Sequence, residues 1–262
     1  MTLKYGLNSK ISNAEYHGDR RFLSSSGLKL LLEDEYAFRD KYIYGNYTSE
    51  ENSAFSFGTY VHTMLLEPHL LPYETAIYRD SAQRRGNLWN RFKEANAGKT
   101  IITATEAESA EKMWSNYLRL PKSQQLIGGG RSEETYAGEI LGVPVKVRFD
   151  SIGDGYGLDV KTTSMPCDLR SLQQTIDKYD YALSAALYME VAKMCGANAK
   201  IFYFLFANKK THDITLVETS PGFLEQGREQ VYKALEKYQS LKLRGFFDDT
   251  PLLKIIETTE AT

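Results

Sequence analysis

The clearest hydrophobic pattern in the chain lies between Val143 and Ser164, where two short segments alternate between apolar and polar side chains. The apolar positions are Val143, Val145, Val147 and Phe149 in the first segment, and Leu158 and Val160 in the second. An alternation with period two predicts a β-strand with one buried face. Gly153-Asp154-Gly155 separates the segments and is typical of a tight turn. The pattern therefore predicts a β-hairpin.

The polar positions of this hairpin carry two carboxylates and a lysine. Asp150 closes the first strand, and Asp159 and Lys161 share one face of the second. Carboxylate oxygens are the ligands that Mg²⁺ prefers, and a nearby ammonium can neutralise charge on a phosphate or steer an attacking water. A solvated Asp–Lys pair on a surface hairpin is the alternative, and such a pair contributes little to stability. The spacing alone leaves both interpretations open.

Two helices are predicted in the first quarter of the chain. Ser24 to Ser26 precede an apolar run, as the N-cap residues of a helix do. Residues 57–68 are predicted to form a second helix, which ends at Pro68. Its predicted buried stripe consists of Tyr60, Val61, Met64 and Leu65. His62 lies at the edge of that stripe, one turn after Gly58, where another backbone or a ligand can approach closely. A lone histidine in such a setting is usually a boundary residue of the core.

Residues 81–97 are predicted to form a helix with a basic face, ended by Gly98. The basic residues are Arg84, Arg85, Arg91 and Lys93. Such a face can follow a phosphate backbone, although it is more often simply solvated. The first interpretation makes Arg84 and Arg85 candidates for contact with nucleic acid. Thr105 and Glu108 have the spacing of a capping box, which predicts a further helix that runs to Pro121.

The second half of the chain is predicted to contain a sheet. Gly128 to Gly130 end the helical half, and Ser132 to Tyr136 begin a strand ahead of the hairpin. Residues 200–207 are apolar throughout, which predicts a central strand that is buried on both faces. A further strand is predicted over residues 212–218.

Two helices complete this half. Residues 181–195 are predicted to be helical, with Leu183, Leu187, Val191 and Met194 spaced for burial. Pro221 begins a long helix that reaches about Arg244. The order of elements predicts one α/β domain over residues 1–262, with a mixed central β-sheet flanked by helices. We expect a mainly helical part (1–130), a sheet-and-helix core (131–245) and a loosely ordered tail (246–262).

The composition narrows the class of protein. Hydrophobic residues make up 42% and charged residues 25% of the chain, which is typical of a globular protein. Cys167 and Cys195 can supply neither a disulfide framework nor a four-cysteine metal site. The N-terminus lacks an apolar signal core and no run approaches transmembrane length, so we expect a cytoplasmic protein with no membrane partner. A net charge of −2 argues against bulk electrostatic binding of nucleic acid, but not against a basic groove.

Several motifs together resemble one nuclease family. They are Phe57-Gly58-x-x-x-His62-x-x-Leu65-Leu66-Glu67-Pro68, Gly98-Lys99-Thr100, Arg148-x-Asp150 and Leu158-Asp159-Val160-Lys161-Thr162-Thr163. With Glu133 ahead of the last two motifs, the chain resembles the exodeoxyribonuclease VIII (RecE-type) enzymes of phage and prophage recombination systems. These enzymes belong to the RecB-like branch of the PD-(D/E)xK superfamily. The resemblance runs from Leu23 to Tyr188 and implies a restriction-endonuclease-like fold.

The resemblance also implies a metal site. His62, Asp150 and Asp159 are expected to bind Mg²⁺, for which Mn²⁺ can substitute, and the Val160 carbonyl is expected to complete the site. In chemical terms, carboxylates that hold metal ions allow a metal-bound water to hydrolyse a phosphodiester.

The same resemblance assigns catalytic roles. Asp150 and Asp159 are the catalytic carboxylates, and Lys161 is the catalytic lysine. Glu133 is expected to assist with a metal or to orient the attacking water. Glu134 is an alternative to Glu133, because a shift of one residue exchanges the two faces of a strand.

Contacts with DNA form a third group of expectations. Relatives place a tyrosine on the helix after the catalytic strands, here Tyr188, and a glutamine four residues earlier, where this chain has Ser184. Arg148 and Thr162 belong to the matched motifs and are further candidates. The resemblance implies that double-stranded DNA ends are the substrate, digested 5′ to 3′ to leave 3′ single strands. It also implies a ring-shaped homo-oligomer, a RecT-type annealing partner and a bacterial cytoplasm.

Three alternatives stand beside this interpretation. An endonuclease, junction resolvase or flap nuclease of the same superfamily would have the same site. A nuclease-fold protein without catalysis would usually lack the lysine or an acidic ligand, and this chain has both. A structural α/β domain would need all the matched positions to coincide by chance. The iron–sulfur branch of the RecB-like enzymes requires four cysteines, and this chain has 2.

Overall fold

The fold is built on a central sheet. The computed structural model describes residues 2–9, 11–46 and 53–248. In chain order, the strands are β1 (Gly6–Asn8), β2 (Thr75–Tyr78), β3 (Thr100–Thr103), β4 (Arg131–Ile140), β5 (Val143–Gly153), β6 (Gly155–Thr163), β7 (Ala199–Asn208) and β8 (Ile214–Glu218). The central sheet has the strand order β1-β4-β5-β6-β7-β8, and β2 and β3 form a separate parallel pair.

Helices lie on both faces of this sheet. They are α1 (Asn13–Gly18), α2 (Ser25–Glu33), α3 (Glu35–Phe38), α4 (Ser53–Leu66), α5 (Leu71–Glu74), α6 (Gly86–Ala95), α7 (Ala104–Tyr117), α8 (Pro121–Gly128), α9 (Leu169–Lys178), α10 (Tyr181–Met194) and α11 (Pro221–Leu243). A π-helical segment, Arg39–Tyr44, continues α3, and a 3₁₀ turn, Pro68–Leu70, follows α4. Among the described residues, no helix is both long enough and apolar enough to cross a bilayer.

The central sheet is mixed. The pairs β1–β4, β4–β5, β5–β6 and β7–β8 are antiparallel, and the pair β6–β7 is parallel. A parallel pair requires a long crossover connection, which α9 and α10 provide. The predicted fold class, an α/β fold with a mixed central sheet flanked by helices, is therefore confirmed.

The apolar side chains of β7 divide between two cores, as a strand buried on both faces requires. Phe202, Phe204 and Phe206 pack with residues of α2, α10 and α11. Tyr203, Leu205 and Ala207 pack with residues of α4, α7 and α8. The removal of this apolar area from water is the main favourable contribution to folding. The prediction of a central strand over 200–207 is confirmed.

Two buried cations fix the N-terminal segment to the sheet. Arg148 donates to the Ile11 carbonyl at 2.7 Å, and Lys146 donates to the carbonyls of Tyr16 and Asp19. The Tyr16 ring covers both cations, with its centroid 4.4 Å from the guanidinium carbon of Arg148 and 4.7 Å from Nζ of Lys146. A buried charge is tolerated only when it is well paired or hydrogen-bonded, and here backbone carbonyls and a ring face meet that requirement.

Some elements were not predicted from the sequence. The strand β1 pairs with β4, with Gly6 opposite Ala137, so the sheet begins in the mainly helical part of the chain. It spans three residues, which is too short to show an alternation. The helix α9 was also missed, although it buries Leu172 and Ile176 on one side. A single helix was expected in the crossover, and the structure has two.

Several predicted boundaries were wrong. The helix α6 begins at Gly86, so Arg84 and Arg85 precede it. The capping box of α7 is formed by Thr103 and Glu106, two residues before the predicted pair. Both pairs have the same spacing, so the sequence pattern alone does not distinguish them. That helix ends at Tyr117, and Pro121 begins α8. Met194 was predicted to be buried and is 52% exposed.

Other boundaries were predicted well. The helix α2 begins after Ser24, α10 begins at Tyr181, and α11 begins at Pro221. The helix α4 begins at Ser53, four residues before the predicted start. Residues 249–262 of the predicted tail lie outside the described residues. Phe246, in the described part of the tail, is buried.

Candidate metal centre

The site forms where β5 and β6 separate. The two strands pair from Gly153 with Tyr156 to Ser151 with Leu158. At the next position along β5, a side chain replaces the strand partner, because Oδ2 of Asp150 accepts the Val160 N–H at 2.5 Å. A buried carboxylate therefore lies between the two strands, beside the Val160 peptide group.

The helix α4 brings His62 to the same place. Its Nε2 lies 2.9 Å from the Val160 carbonyl oxygen, and its Nδ1 lies 3.6 Å from Oδ2 of Asp150. Gly58, one turn earlier, faces β6, and a Cβ at this position would lie 3.5 Å from Oγ1 of Thr162. The predicted apolar stripe of α4 is buried, so the helix is held against the sheet with His62 at the edge of the core.

The strand β4 contributes Glu133. Its φ is 55°, in the left-handed region that is rare for residues other than glycine and often marks a functional position. A carboxylate oxygen of Glu133, one of Asp150 and a ring nitrogen of His62 all lie within 4.8 Å of one another. Glu134 is directed elsewhere, with Ser9 Oγ 3.4 Å from its carboxylate. Of the two glutamates considered, the structure brings Glu133 to the site.

Asp159 and Lys161 lie side by side on β6. Their side chains form a direct ion pair, and the Lys161 ammonium lies 5.6 Å from the centroid of the Tyr181 ring. The carboxylate of Asp159 is thus paired with lysine instead of joining His62, Glu133 and Asp150. After burial, the charge of Asp159 is the main cause that raises the pKa of Asp150, so the two carboxylates are neighbours.

Burial makes ionisation of the two clustered acids unfavourable. Burial, together with the charge of Asp159, raises the pKa of Asp150 to about 6, although His62, Lys161 and the Val160 N–H act in the opposite direction. Burial and the charge of Asp150 raise the pKa of Glu133 to about 7. Desolvated carboxylates that repel each other are stabilised as anions by a cation. Carboxylate, imidazole and carbonyl donors together fit Mg²⁺ or Mn²⁺.

Lys161 is held as a cation. Burial alone lowers the pKa of its ammonium, but the carboxylates of Asp159 and Asp150 more than offset this effect and raise the pKa above its ordinary value. The side chain therefore keeps its proton at neutral pH. It can stabilise negative charge, and it is a poor general base.

The residues that were predicted to contact DNA differ in how accessible they are. Arg148 is buried, and its guanidinium donates to Thr135 and Asn13 as well as to backbone carbonyls. This corrects the expectation for Arg148, because its donors are directed into the protein and fix the N-terminal segment. Thr162 is half-buried beside α4. Tyr188 packs its ring against Phe149 at 5.1 Å between centroids.

Two further observations concern these candidates. Burial and the nearby charge of Asp159 raise the pKa of Tyr188 well above its ordinary value, and Ser184 is buried on the same helix. Arg84 donates to Oε2 of Glu106 at 2.5 Å, while Arg85 is exposed just before α6. The prediction that both arginines lie on the basic face of a helix is therefore wrong.

Some residues near the site were not found from the sequence. The ring of Tyr181 lies 5.2 Å from Nζ of Lys29 as well as 5.6 Å from that of Lys161. The Tyr16 ring covers Arg148. Burial, together with the charges of Glu133 and Asp159, raises the pKa of its hydroxyl. The only sequence signal was the position of Tyr181 at the start of a predicted helix. Lys29 and Tyr16 come from distant parts of the chain and carry no local signal.

The arrangement defines a class of protein. A mixed sheet flanked by helices, with Asp150 and the Asp159-x-Lys161 pair where two strands separate, is the core of a PD-(D/E)xK-type nuclease fold. The family model described as a PDDEXK-like domain of unknown function (DUF3799) matches residues 24–247. The chain belongs to this family.

A solved structure has the same fold. It is that of a candidate exonuclease from Eubacterium rectale, which matches with a TM-score of 0.67 and 18% sequence identity, covering 95% of this chain and 97% of that chain. The solved structure of the protein SSO0001 matches with a TM-score of 0.28 and 15% identity, over 79% of this chain and 85% of that chain, which is too low to support an argument. No curated protein matches the sequence.

Proposed function

We propose that the protein is a divalent-metal-dependent DNA exonuclease that hydrolyses phosphodiester bonds from the ends of linear double-stranded DNA. The observation that carries this proposal is the convergence of His62, Glu133, Asp150 and the Val160 carbonyl beside the Asp159–Lys161 pair. Membership of the PDDEXK-like family supports a nuclease. The Eubacterium rectale structure, that of a candidate exonuclease, supports the choice of exonuclease within this class.

The residues have complementary roles in this chemistry. His62, Asp150 and the Val160 carbonyl would hold a divalent ion, with Glu133 and Asp159 as the neighbouring carboxylates. When bound, Mg²⁺ or Mn²⁺ supplies an acidified water and positive charge at the phosphate. Glu133 lies in the same cluster as these ligands, so its carboxylate would be placed to accept a proton from the attacking water.

Lys161 contributes charge instead of proton transfer. Its ammonium lies beside the acidic group and keeps its proton, so it can stabilise the negative charge that develops on the phosphate oxygens. Asp159 orients this ammonium through their ion pair. In this scheme, Asp159 also remains a candidate ligand, as the motif resemblance implies.

The finer parts of the proposal rest on the motif resemblance. These parts are 5′-to-3′ digestion that leaves 3′ single strands, a ring-shaped homo-oligomer, a RecT-type annealing partner and a bacterial cytoplasmic location. We retain Arg84, Arg85, Thr162 and Tyr188 as proposed DNA contacts. Arg148 is omitted because its donors are used within the protein.

The choice between exonuclease and endonuclease can be tested with two substrates of the same sequence. An exonuclease must begin at an end, so a linear duplex should release acid-soluble nucleotides in Mg²⁺ while a covalently closed circle survives. The measurement is nucleotide release over time from both substrates, with a chelator control. Comparable release from the closed circle, or discrete fragments without mononucleotides, would refute the exonuclease proposal in favour of an endonuclease.

A further inference from the structure

Three aromatic rings form a stack beside Lys161. The Tyr181 ring lies 5.4 Å from the Phe204 ring with an angle of 26° between their planes, and 5.7 Å from the Tyr179 ring with an angle of 24°. Phe204 is fully buried, whereas Tyr179 is 50% exposed. The stack therefore runs from the core to the surface and ends on an accessible tyrosine ring.

The backbone between the two tyrosines is held in an unfavourable conformation. Asp180 has φ 46° and ψ 49°, in the left-handed region, and its side chain does not cap α10. Such a conformation costs free energy in a residue other than glycine and persists only where the surroundings impose it. Lys29 provides one such restraint, because its Nζ donates to the Tyr179 carbonyl at 2.6 Å and so joins this turn to α2. The backbone that carries the exposed ring is thus restrained on both sides of the Tyr179 carbonyl.

Cations surround the stack. Nζ of Lys29 and Nζ of Lys161 lie 5.2 Å and 5.6 Å from the Tyr181 centroid, and Nζ of the exposed Lys178 lies 5.4 Å from the Tyr179 centroid. Burial and the charge of Lys161 lower the pKa of Lys29 to about 8, although Asp159 and Asp180 act in the opposite direction. Two neighbouring ammonium groups favour an anion between or beside them.

An exposed ring in a fixed stack, with cations on its flank, is the arrangement that binds unpaired nucleotides. Every base has a π-face that stacks on an aromatic ring, and lysines hold the backbone phosphates. Bases within a duplex already stack on each other, so this surface suits a frayed end or a single strand. The side chain of Lys178 is exposed, so a base can displace it from the ring.

We propose that Tyr179 stacks on an unpaired base of the strand being cut, and that Lys29 binds a phosphate of that strand next to the one beside Lys161. This inference rests on the proposed nuclease function and adds a contact with a single-stranded end. It assigns binding roles to Tyr179 and Lys29, and a supporting role to Tyr181, which fixes the position of the Tyr179 ring.

The test uses a short single-stranded oligonucleotide with 2-aminopurine at its end, in chelator so that no strand is cut. Stacking on tyrosine should quench the fluorescence of the base in the unmodified protein and in Tyr179→Phe, which keeps the ring. In Tyr179→Ala, the quenching should disappear and Kd should rise roughly tenfold or more, the loss expected for one base–aromatic stack. Tyr73→Ala removes a tyrosine that is 75% exposed elsewhere and should change neither value.

A second variant tests the phosphate contact. Lys29→Gln removes the positive charge and leaves a polar side chain with an amide donor at this position. The dependence of log Kd on log salt should become shallower by about one unit of slope or slightly less, as expected when one phosphate contact is lost. An unchanged slope would contradict the role of Lys29.

The outcomes separate this inference from the proposed function. If the unmodified protein neither binds nor hydrolyses DNA, the nuclease proposal itself fails. If it hydrolyses DNA but Tyr179→Ala binds and quenches as Tyr179→Phe does, only the stacking inference is wrong. The same conclusion follows if the unmodified protein hydrolyses DNA without quenching the terminal base.

Discussion

Asp150 takes part in both the fold and the proposed chemistry. Its Oδ2 accepts the Val160 N–H at 2.5 Å in place of a strand partner, and the same oxygen lies 3.6 Å from His62 Nδ1. The carboxylate is also buried close to Glu133. Ionisation of an acid in this position is unfavourable. The ionised site therefore lowers the stability of the metal-free protein and favours the binding of a cation.

When a chelator keeps the site free of metal, the free energy of unfolding should depend on pH. Carboxyl groups of an unfolded chain titrate near pH 4, whereas the pKa values of Asp150 and Glu133 are raised to about 6 and about 7 by burial. Between about pH 4 and 7 the folded protein therefore holds more protons than the unfolded chain, and the free energy of unfolding falls as pH rises. Thermal unfolding at several pH values should show a falling Tm over this window.

The substitution Asp150→Asn should flatten that dependence. Asparagine keeps an oxygen that can accept the Val160 N–H, and it removes the buried charge. In chelator at pH 7.5, Asp150→Asn should therefore have a Tm several degrees above that of the unmodified protein. Asp154→Asn, which changes an exposed carboxylate in the β5–β6 turn, serves as the control and should retain the pH dependence. A lower Tm for Asp150→Asn would show that ionised Asp150 stabilises the fold.

The catalytic role of Lys161 can be tested separately from metal binding. The residue is not a ligand, so Lys161→Ala should bind Mg²⁺ with similar heats in titration calorimetry. Turnover on DNA should fall roughly 10²-fold or more, because the ammonium that stabilises the developing charge is gone. Lys193→Ala removes an exposed lysine at the end of α10 and should leave turnover unchanged. Near-normal turnover in Lys161→Ala would reduce the Asp159–Lys161 contact to a structural ion pair.

At the scale of the elements, α10 and α11 pack unusually closely at one point. A Cβ on Gly227 of α11 would lie 2.0 Å from the Ala182 carbonyl oxygen and 2.9 Å from the Ala186 Cβ. A backbone carbonyl cannot rotate away as a flexible side chain can, so the helices would have to move apart. Since α10 carries Tyr181 and Tyr188, this contact also fixes residues near the site.

We predict that Gly227→Ala destabilises the protein by about 1–3 kcal/mol, the usual cost of overpacking, even though alanine favours a helix. Denaturant unfolding gives the free energy directly. Gly222→Ala, at the start of the same helix, has only Ser220 Oγ at 4.0 Å from the added Cβ and should be neutral or stabilising. Equal stability of the two variants would show that α10 and α11 separate easily.

Elements with a strong local pattern were predictable from the sequence. The β5–β6 hairpin, β7 and α11 each show clear periodicity, a turn or a proline start. The failures have physical causes. The strand β1 exists only because it pairs with β4, which is distant in sequence, and the start of α7 depended on which of two equal capping patterns formed.

At the scale of the whole molecule, the sequence predicted which residues have suitable chemistry but not how they are arranged. The placement of His62 beside Val160 depends on a contact between α4 and β6 across 98 positions of the chain. The choice between Glu133 and Glu134 depends on a left-handed residue at which the β4–β5 pairing is interrupted. The burial of Arg148 depends on the N-terminal segment, which has no strong pattern. These tertiary features are invisible to local periodicity.

The charge of the whole molecule also bears on the proposed function. A net charge of −2 gives no general attraction for DNA, so binding must come from a few local cations. The lysines around Tyr181 form one such group beside the acidic residues. A metal ion bound by those residues would reduce their repulsion of the DNA phosphates.

Hydrolysis of linear duplex DNA by the unmodified protein and by Asp150→Asn is the most direct test of the central claim. The unmodified protein should release acid-soluble nucleotides in Mg²⁺ and none in chelator. Asp150→Asn should stay folded, as its Tm reports, yet lose activity roughly 10²-fold or more because a metal ligand is gone. Undiminished release by Asp150→Asn, or release by the unmodified protein in chelator, would contradict a metal-dependent nuclease site at Asp150.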